Sequence, residues 1–289
     1  MAARPLVAIV GETASGKSAL ALHLAEVFGG EIICADSRTI YTGMDIGTAK
    51  PTAADRSLIP HHILDVVSPD QRFSAADFKA QAEAAIADIH TRGKLPIIVG
   101  GTGLYVDAVL YDFAFRSPAD PKQREELEKM SVEQLQQALT EKEIALPNNP
   151  QNPRHLIRAL ETGGEPSERK PLRGETLVLG LKIDRELLEQ RIENRIDDMI
   201  TTGLLEEIET LAQKYSWDAP GLQAPGYRAF RPYFAGEIDI ETAKKQFARN
   251  DTQLAKRQRT WFKRNEDIQW VSDFEQAKEL VQNLLQDNA

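Results

Sequence analysis

One cysteine in 289 residues is too few for an internal disulfide or a cysteine-rich zinc site, so a zinc-finger extension is not expected. Cys34 itself lies in the apolar run Glu31-Ile-Ile-Cys-Ala35, where a buried, inert thiol is expected. Long apolar runs are absent: Leu6 to Val10 and Pro96 to Val99 fall well below the roughly 20 residues of a membrane helix. The opening Met-Ala-Ala-Arg-Pro enters a strand-like run without the elements of a secretory leader, which places the chain in the cytoplasm. Internal repeats and low-complexity tracts are missing too, and glycine (18) and proline (15) are sparse, excluding collagen-like and disordered classes. Basic residues are outnumbered, 35 against 44 for a net charge of −9, which argues weakly against a polyanionic partner for the chain as a whole. What remains, 42% apolar and 27% charged, is ordinary globular composition for one large domain or a core with an insertion.

Leu6-Val-Ala-Ile-Val10 is a strand-like run ending in a glycine-rich turn, and Ser18 to Glu26 has helical composition. Glu31 to Ala35 and Leu95 to Val99 are further strand candidates, and between them Phe78, Ala82, Ala85, Ile86 and Ile89 recur at helical spacing. Alternating strands and helices imply a parallel sheet covered on both faces. From about Ser117 to Lys170 polar helix formers, a Pro/Asn-rich break at 147–153 and a short helix around Arg154 to Glu161 suggest a helical insertion. Thr176 to Ile183 returns as a strand, and Asp184 is a fair N-cap for a long helix with Leu188, Ile192, Ile196 and Met199 as its apolar stripe. The expected fold is α/β: a P-loop parallel-sheet core with helices on both faces (1–116 and 171–289) and a small helical insertion domain (117–170).

Gly11-Glu-Thr-Ala-Ser-Gly-Lys-Ser18 matches G-x-x-x-x-G-K-[ST] between a strand and a helix. Backbone N–H groups of such a loop, from Gly11 through Thr13, Ala14, Ser15 and Gly16, wrap a phosphate, Lys17 neutralises terminal oxygens, and the Ser18 hydroxyl can ligate Mg²⁺. The third strand ends in Gly100-Gly-Thr-Gly103 rather than the metal-holding Asp of many hydrolases. The candidate acid is Asp36, after the second strand, although Asp36-Ser37 can equally be a turn pair. Arg191 and Arg195 share a helix face that could look into a pocket, or could pair on the surface with Glu186, Glu189 and Glu193. His61-His62 lacks a third ligand at useful spacing and reads as structural.

The loop alone leaves three readings open: a group transferase, a small-molecule or nucleoside kinase, and a nucleotide-gated RNA-binding protein. Charge distribution bears on the choice. Lys244 to Arg264 holds eight basic residues against Asp251, a local phosphate-binding surface that a small substrate would not need. Trp261 and Phe262 lie inside it, as candidate base contacts or as core anchors.

Asp36-Ser-Arg-Thr-Ile-Tyr41, Gly43-Met-Asp-Ile-Gly-Thr-Ala-Lys-Pro51, Pro60-His-His-Ile-Leu-Asp65, Phe73 to Phe78, Pro96 to Tyr105, Gly226-Tyr-Arg228 and Ala255-Lys-Arg-Gln-Arg-Thr-Trp261 follow one another in an order that closely resembles the tRNA dimethylallyltransferases, over nearly the whole chain. The resemblance implies transfer of a dimethylallyl group from dimethylallyl diphosphate, with Mg²⁺, to the exocyclic amine of the adenosine 3′ to a tRNA anticodon, by a monomer. It implies that Asp36 acts as base and that Lys17, Thr102 and Arg195 serve the diphosphate or reacting centre. Asp36, Ser37, Arg38, Thr39, Thr102, Arg124, Arg154, Arg158, Gly226, Tyr227, Arg228, Lys256 and Arg257 would contact tRNA, with insertion and core clasping the anticodon stem-loop. A flipped, already unpaired base would reach the pocket at low cost. Departures from the family pattern are Glu12 for a usual Pro, which sets a carboxylate beside the phosphate site, Pro225, Ala229, and Asp251-Thr252 for Thr-Arg.

Overall fold

The computed structural model describes residues 4–115, 121–165 and 169–287. The boundary expected at 116/117 and the opening Met1 to Ala3 therefore lie outside the described residues. In chain order the elements are β1 (Leu6–Val10), α1 (Lys17–Phe28), β2 (Gly30–Cys34), α2 (Ala53–Leu58), β3 (His61–His62), α3 (Ala75–Thr91), β4 (Leu95–Gly100), α4 (Gly103–Leu110), α5 (Pro121–Glu128), α6 (Val132–Glu141), α7 (Pro153–Thr162), β5 (Thr176–Leu181), α8 (Arg185–Thr202), α9 (Leu204–Lys214), α10 (Pro225–Phe234), α11 (Ile240–Phe262), β6 (Ile268–Val271) and α12 (Phe274–Gln286).

The six strands form one sheet in the order β3-β2-β4-β1-β5-β6, with every pairing parallel. Strands covered on both faces must be apolar throughout, and all residues of β1, β2 and β4 are buried. Val7, Ile9, Ile32, Cys34, Ile97, Val99 and Leu179 pack on one face with α1 and α12. The alternate residues Ala8, Ile33, Ile98 and Val178 are equally buried on the side of α3 and α4, whose own buried residues include Phe78, Ala82, Ile86, Val106 and Val109. Because β4 lies between β1 and β2, Asp36 is two strands from the phosphate loop rather than on its immediate neighbour. Parallel register still brings the loops after β1, β2 and β4 to one edge, the usual binding edge of an open α/β sheet.

Helix starts follow local chemistry. Ser74 and Asp77 cap α3 reciprocally, and the Asp184 carboxylate accepts the Glu186 and Leu187 N–H groups at the start of α8. By its contacts the chain separates into two compact units, 1–111 with 172–289, and 112–171. In the larger unit the Arg173 N–H donates to Leu110 O at 2.9 Å, closing the two stems of the excursion. The smaller unit has its own core of Leu135, Leu139, Leu156, Ile157 and Leu160.

The loop at Gly43–Pro51 is anchored by buried charge. Lys50 donates to Tyr41 O, Asp45 and Asp65. Glu207 of α9 accepts the N–H groups of Asp45 and Ile46 at 2.8 Å, that of Gly47 at 2.9 Å, and the Tyr227 hydroxyl at 2.5 Å. Hydrogen bonds to a charged group contribute about 1.5–3 kcal/mol each, and several share this carboxylate. Glu207→Ala is expected to lower unfolding free energy by about 2–4 kcal/mol in urea titrations; a loss too small to resolve would show that the loop is held otherwise.

Candidate functional site

The phosphate loop joins β1 to α1. Ala14 at φ 60° and Gly16 at φ 99° turn successive amides inward in the left-handed conformation that glycine tolerates and alanine adopts only under constraint. Lys17 Nζ donates to Glu12 O at 3.0 Å. From α8, Arg191 donates to Ser15 O at 3.2 Å, and Arg195 donates through Nη1 to Thr13 Oγ1 at 3.0 Å and through Nη2 to Asp251 Oδ2 at 2.5 Å. The surface-paired alternative for these arginines is thus not what the fold adopts; among the acids of that face, Glu189 pairs with Arg185. Two buried side-chain atoms have no partner among the described residues: Ser15 Oγ and Arg195 Nε. A buried donor without a partner is costly unless a ligand supplies one.

Across the same cavity, about 830 Å³, stands the segment after β2, with Lys17, Ser18, Asp36, Thr39 and Arg195 all lining it. Asp36 Oδ1 accepts the Arg38 N–H at 2.8 Å, so the turn reading is correct for one oxygen. Thr102, opening α4, accepts the Ser37 N–H on Oγ1 at 3.0 Å, and its own N–H donates to Ala35 O at 3.3 Å. The wall between the two ends is apolar, formed by Ala21, Leu22, Ile32, Cys34 and Val99. Burial lowers the Lys17 ammonium to about 8, opposed by Asp36 and reinforced by Arg195. Burial also raises the Asp251 carboxyl above its ordinary value, against the pull of Arg195, and pushes the Cys34 thiol up to about 12, in keeping with an inert thiol.

Helix α11 closes this region. Its buried stripe is Ala243, Phe247, Asp251, Ala255, Gln258 and Phe262, and the two polar members both reach the site. Gln258 accepts the Thr13 N–H at 2.7 Å and donates to Gly101 O at 3.0 Å. Sequence reading gave Gln258 no role, although a polar residue at an apolar period of three and four was the available signal. The Glu12 carboxylate, expected beside the phosphate site, receives both Nε and Nη2 of Arg259, because an unpaired buried carboxylate would be costly, and its charge still acts on Lys17.

The residues expected to meet RNA divide by exposure. Arg154, Arg228, Lys256 and Arg257 are exposed. Tyr227 is fully buried with its hydroxyl on Glu207, and Gly226 lies where a Cβ would approach the Phe247 ring to 2.6 Å; both are packing residues, a correction to the expected contacts. In the small unit Arg124 pairs with Glu128 and Glu161, and Arg158 with Glu161. Phe262 is buried while Trp261 is 43% exposed, its indole N–H on Asp107 at 3.0 Å. His61 contacts Ile59 O and His62 contacts Glu31, consistent with structural roles. Among the described residues no group of three or more His, Cys, Asp and Glu is placed to hold a metal, and no helix is long and apolar enough to cross a membrane.

Comparison with known proteins gives a consistent picture. The family model described as IPP transferase matches residues 39–265. The tRNA dimethylallyltransferase of Bacillus pumilus is 43% identical over 284 residues, covering 92% of this chain and 89% of that one. The crystal structure of the full-length tRNA isopentenylpyrophosphate transferase from Bacillus halodurans superimposes with a TM-score of 0.75 at 37% identity, covering 99% of this chain and 96% of that one. A eukaryotic dimethylallyltransferase, solved in snapshots of its action on tRNA, gives 0.78 at 28% identity, covering 95% and 75%.

The Lys17 shift has a definite sign. An ammonium lowered to about 8 is charged below that pH and neutral above it, so affinity for inorganic diphosphate should fall as pH rises through about 8. Lys17→Arg keeps its charge and should remove that fall. Calorimetric titration across this range is the check, and a flat wild-type profile would contradict the assignment of Lys17 to the anion.

Proposed function

Since this chain belongs to the IPP transferase family of tRNA dimethylallyltransferases, we propose how its residues divide the work of that reaction. The enzyme transfers a dimethylallyl group from dimethylallyl diphosphate to the exocyclic amine of the adenosine 3′ to the tRNA anticodon and releases diphosphate. The observation that carries the division is that, among the described residues, two partnerless donors are buried at the phosphate loop, Ser15 Oγ within it and Arg195 Nε against it, while Arg195, Lys17 and Asp36 line one cavity.

Diphosphate fits the loop. The inward amides, Ser15 Oγ, Arg195 Nε and the Lys17 ammonium supply donors where negative charge grows as the allylic C–O bond breaks. The donor set suits Mg²⁺ as well: the Ser18 hydroxyl would hold it together with diphosphate oxygens and water, since Mg²⁺ rarely needs an all-protein cage. When bound, it supplies further neutralisation of the leaving group. The aromatic amine is a weak nucleophile, so alignment matters. As its nitrogen bonds to the allylic carbon, the electron pair of the breaking C–O bond leaves with diphosphate. Asp36 Oδ2, which has no hydrogen-bond partner among the described residues, accepts the proton. Ser37, Arg38, Thr39 and Thr102 frame the target nucleotide. Exposed Lys256 and Arg257 on α11, Arg228 on α10 and, in the small unit, Arg154 with the partly exposed Arg124 and Arg158, bind RNA phosphates. A tRNA substrate accords with a cytoplasmic location.

Incubating the protein with unmodified tRNA, Mg²⁺ and dimethylallyl diphosphate, without ATP, and analysing nucleosides by mass spectrometry should yield prenylated adenosine; ATP turnover without it would support a kinase. Asp36→Ala should retain both substrates but lower turnover by on the order of 10² to 10⁴, and near-normal turnover would remove Asp36 as the base. Lys256→Ala combined with Arg257→Ala should weaken tRNA binding and reduce its salt dependence by about one unit of slope per lost phosphate contact, with prenyl diphosphate affinity unchanged. An unaltered slope would place the RNA surface elsewhere.

A further inference from the structure

Gln258 is buried on α11, one residue beyond the exposed Lys256 and Arg257, and meets the phosphate loop through the Thr13 N–H rather than through a group of its own that faces the cavity. Its amide is used at both ends: Oε1 accepts the Thr13 N–H and Nε2 donates to Gly101 O. The partners fix which end is which, because the reversed amide would set donor against donor and acceptor against acceptor. Contact is close enough that a Cβ at Gly101 would lie 2.2 Å from Nε2. Thr13 belongs to the phosphate loop and takes Arg195 on its hydroxyl. Gly101 precedes Thr102, which holds the Ser37 N–H beside Asp36. One side chain therefore spans the loop that receives the leaving diphosphate and the turn that supports the base.

We propose that Gln258 is a positioning residue for prenyl transfer, setting the separation between the phosphate loop and the Asp36 and Thr102 segments and hence the in-line approach of the amine to the allylic carbon. The proposal rests on the site assignment given under the preceding heading. Displacement upsets an in-line reaction far more than it upsets binding, since about 1 Å of misplacement costs on the order of 10²-fold in rate. The effect of Gln258 therefore belongs in kcat rather than in affinity.

Gln258→Met preserves length and removes both hydrogen bonds. It should lower kcat about 10- to 100-fold while dissociation constants for inorganic diphosphate and for tRNA stay within about threefold of wild type. An unchanged kcat, or a raised KM at full kcat, would overturn the proposal. Gln258→Glu gives a second readout should the Met variant fail to fold. Glutamate keeps the acceptor for the Thr13 N–H but can donate to Gly101 O only when protonated, and burial raises its pKa. Its kcat relative to wild type should therefore climb from about pH 8 to about pH 6, whereas a pH-independent ratio would overturn the assignment. Asp36→Ala is assayed alongside: wild-type turnover there would sink the site assignment itself, whereas an inactive Asp36→Ala beside a fully active Gln258→Met would sink only the role of Gln258.

Discussion

The docking of α11 against the phosphate loop is the contact on which the rest of the site depends. A glycine-containing loop presents its amides usefully only if its backbone is held in a costly conformation, and here much of the hold comes from far along the chain. Gln258 takes the Thr13 amide, Arg259 takes the Glu12 carboxylate, and Asp251 fixes the guanidinium of Arg195, which in turn holds Thr13. Each contact is long-range in sequence and partly shielded from water, where a missing partner is costly.

The same helix reconciles an acidic protein with an RNA substrate. Its inner face carries Asp251 and its edge meets Glu12, both matched with arginines, so these carboxylates do not project their charge outward. Lys245, Arg249, Lys256, Arg257, Lys263 and Arg264 are left exposed. Overall charge is a poor guide to a polyanionic partner when acids are paired within the fold and bases are gathered on one surface.

Strands β1, β2, β4 and β5 and the phosphate loop were legible in the sequence because their signals are local, whereas the short β3 at His61–His62 was not read as a strand. Leu6–Val10 and Leu95–Val99 needed only their apolar runs, and the glycine-lysine pattern carries its own geometry. The insertion was legible from its polar helix formers and the Pro/Asn break, while the division of those helix formers into two helices by the Ser131 cap was not. Less visible was everything set by distant pairing. Strand order is one case, since nothing near Leu95 says that it enters between β1 and β2. The fate of Glu12 is another, because its neighbour Arg259 is separated by 247 positions. Gly226 and Tyr227 looked like contact residues from motif position, yet burial against Phe247 and Glu207 explains their residue types by packing.

The hydrogen bond between Arg173 and Leu110 bears on how such a chain can diversify. It makes the segment from 112 to 171 an excursion whose ends meet, so the sheet is complete without regard to what lies between them. Lengthening a closed excursion adds entropy cost only logarithmically. Residues there can be gained, lost or rewritten with little effect on the distances between Asp36, Thr102 and the phosphate loop. The length of the excursion is consequently under weak geometric constraint, and the spacing of the groups around the cavity under strict constraint.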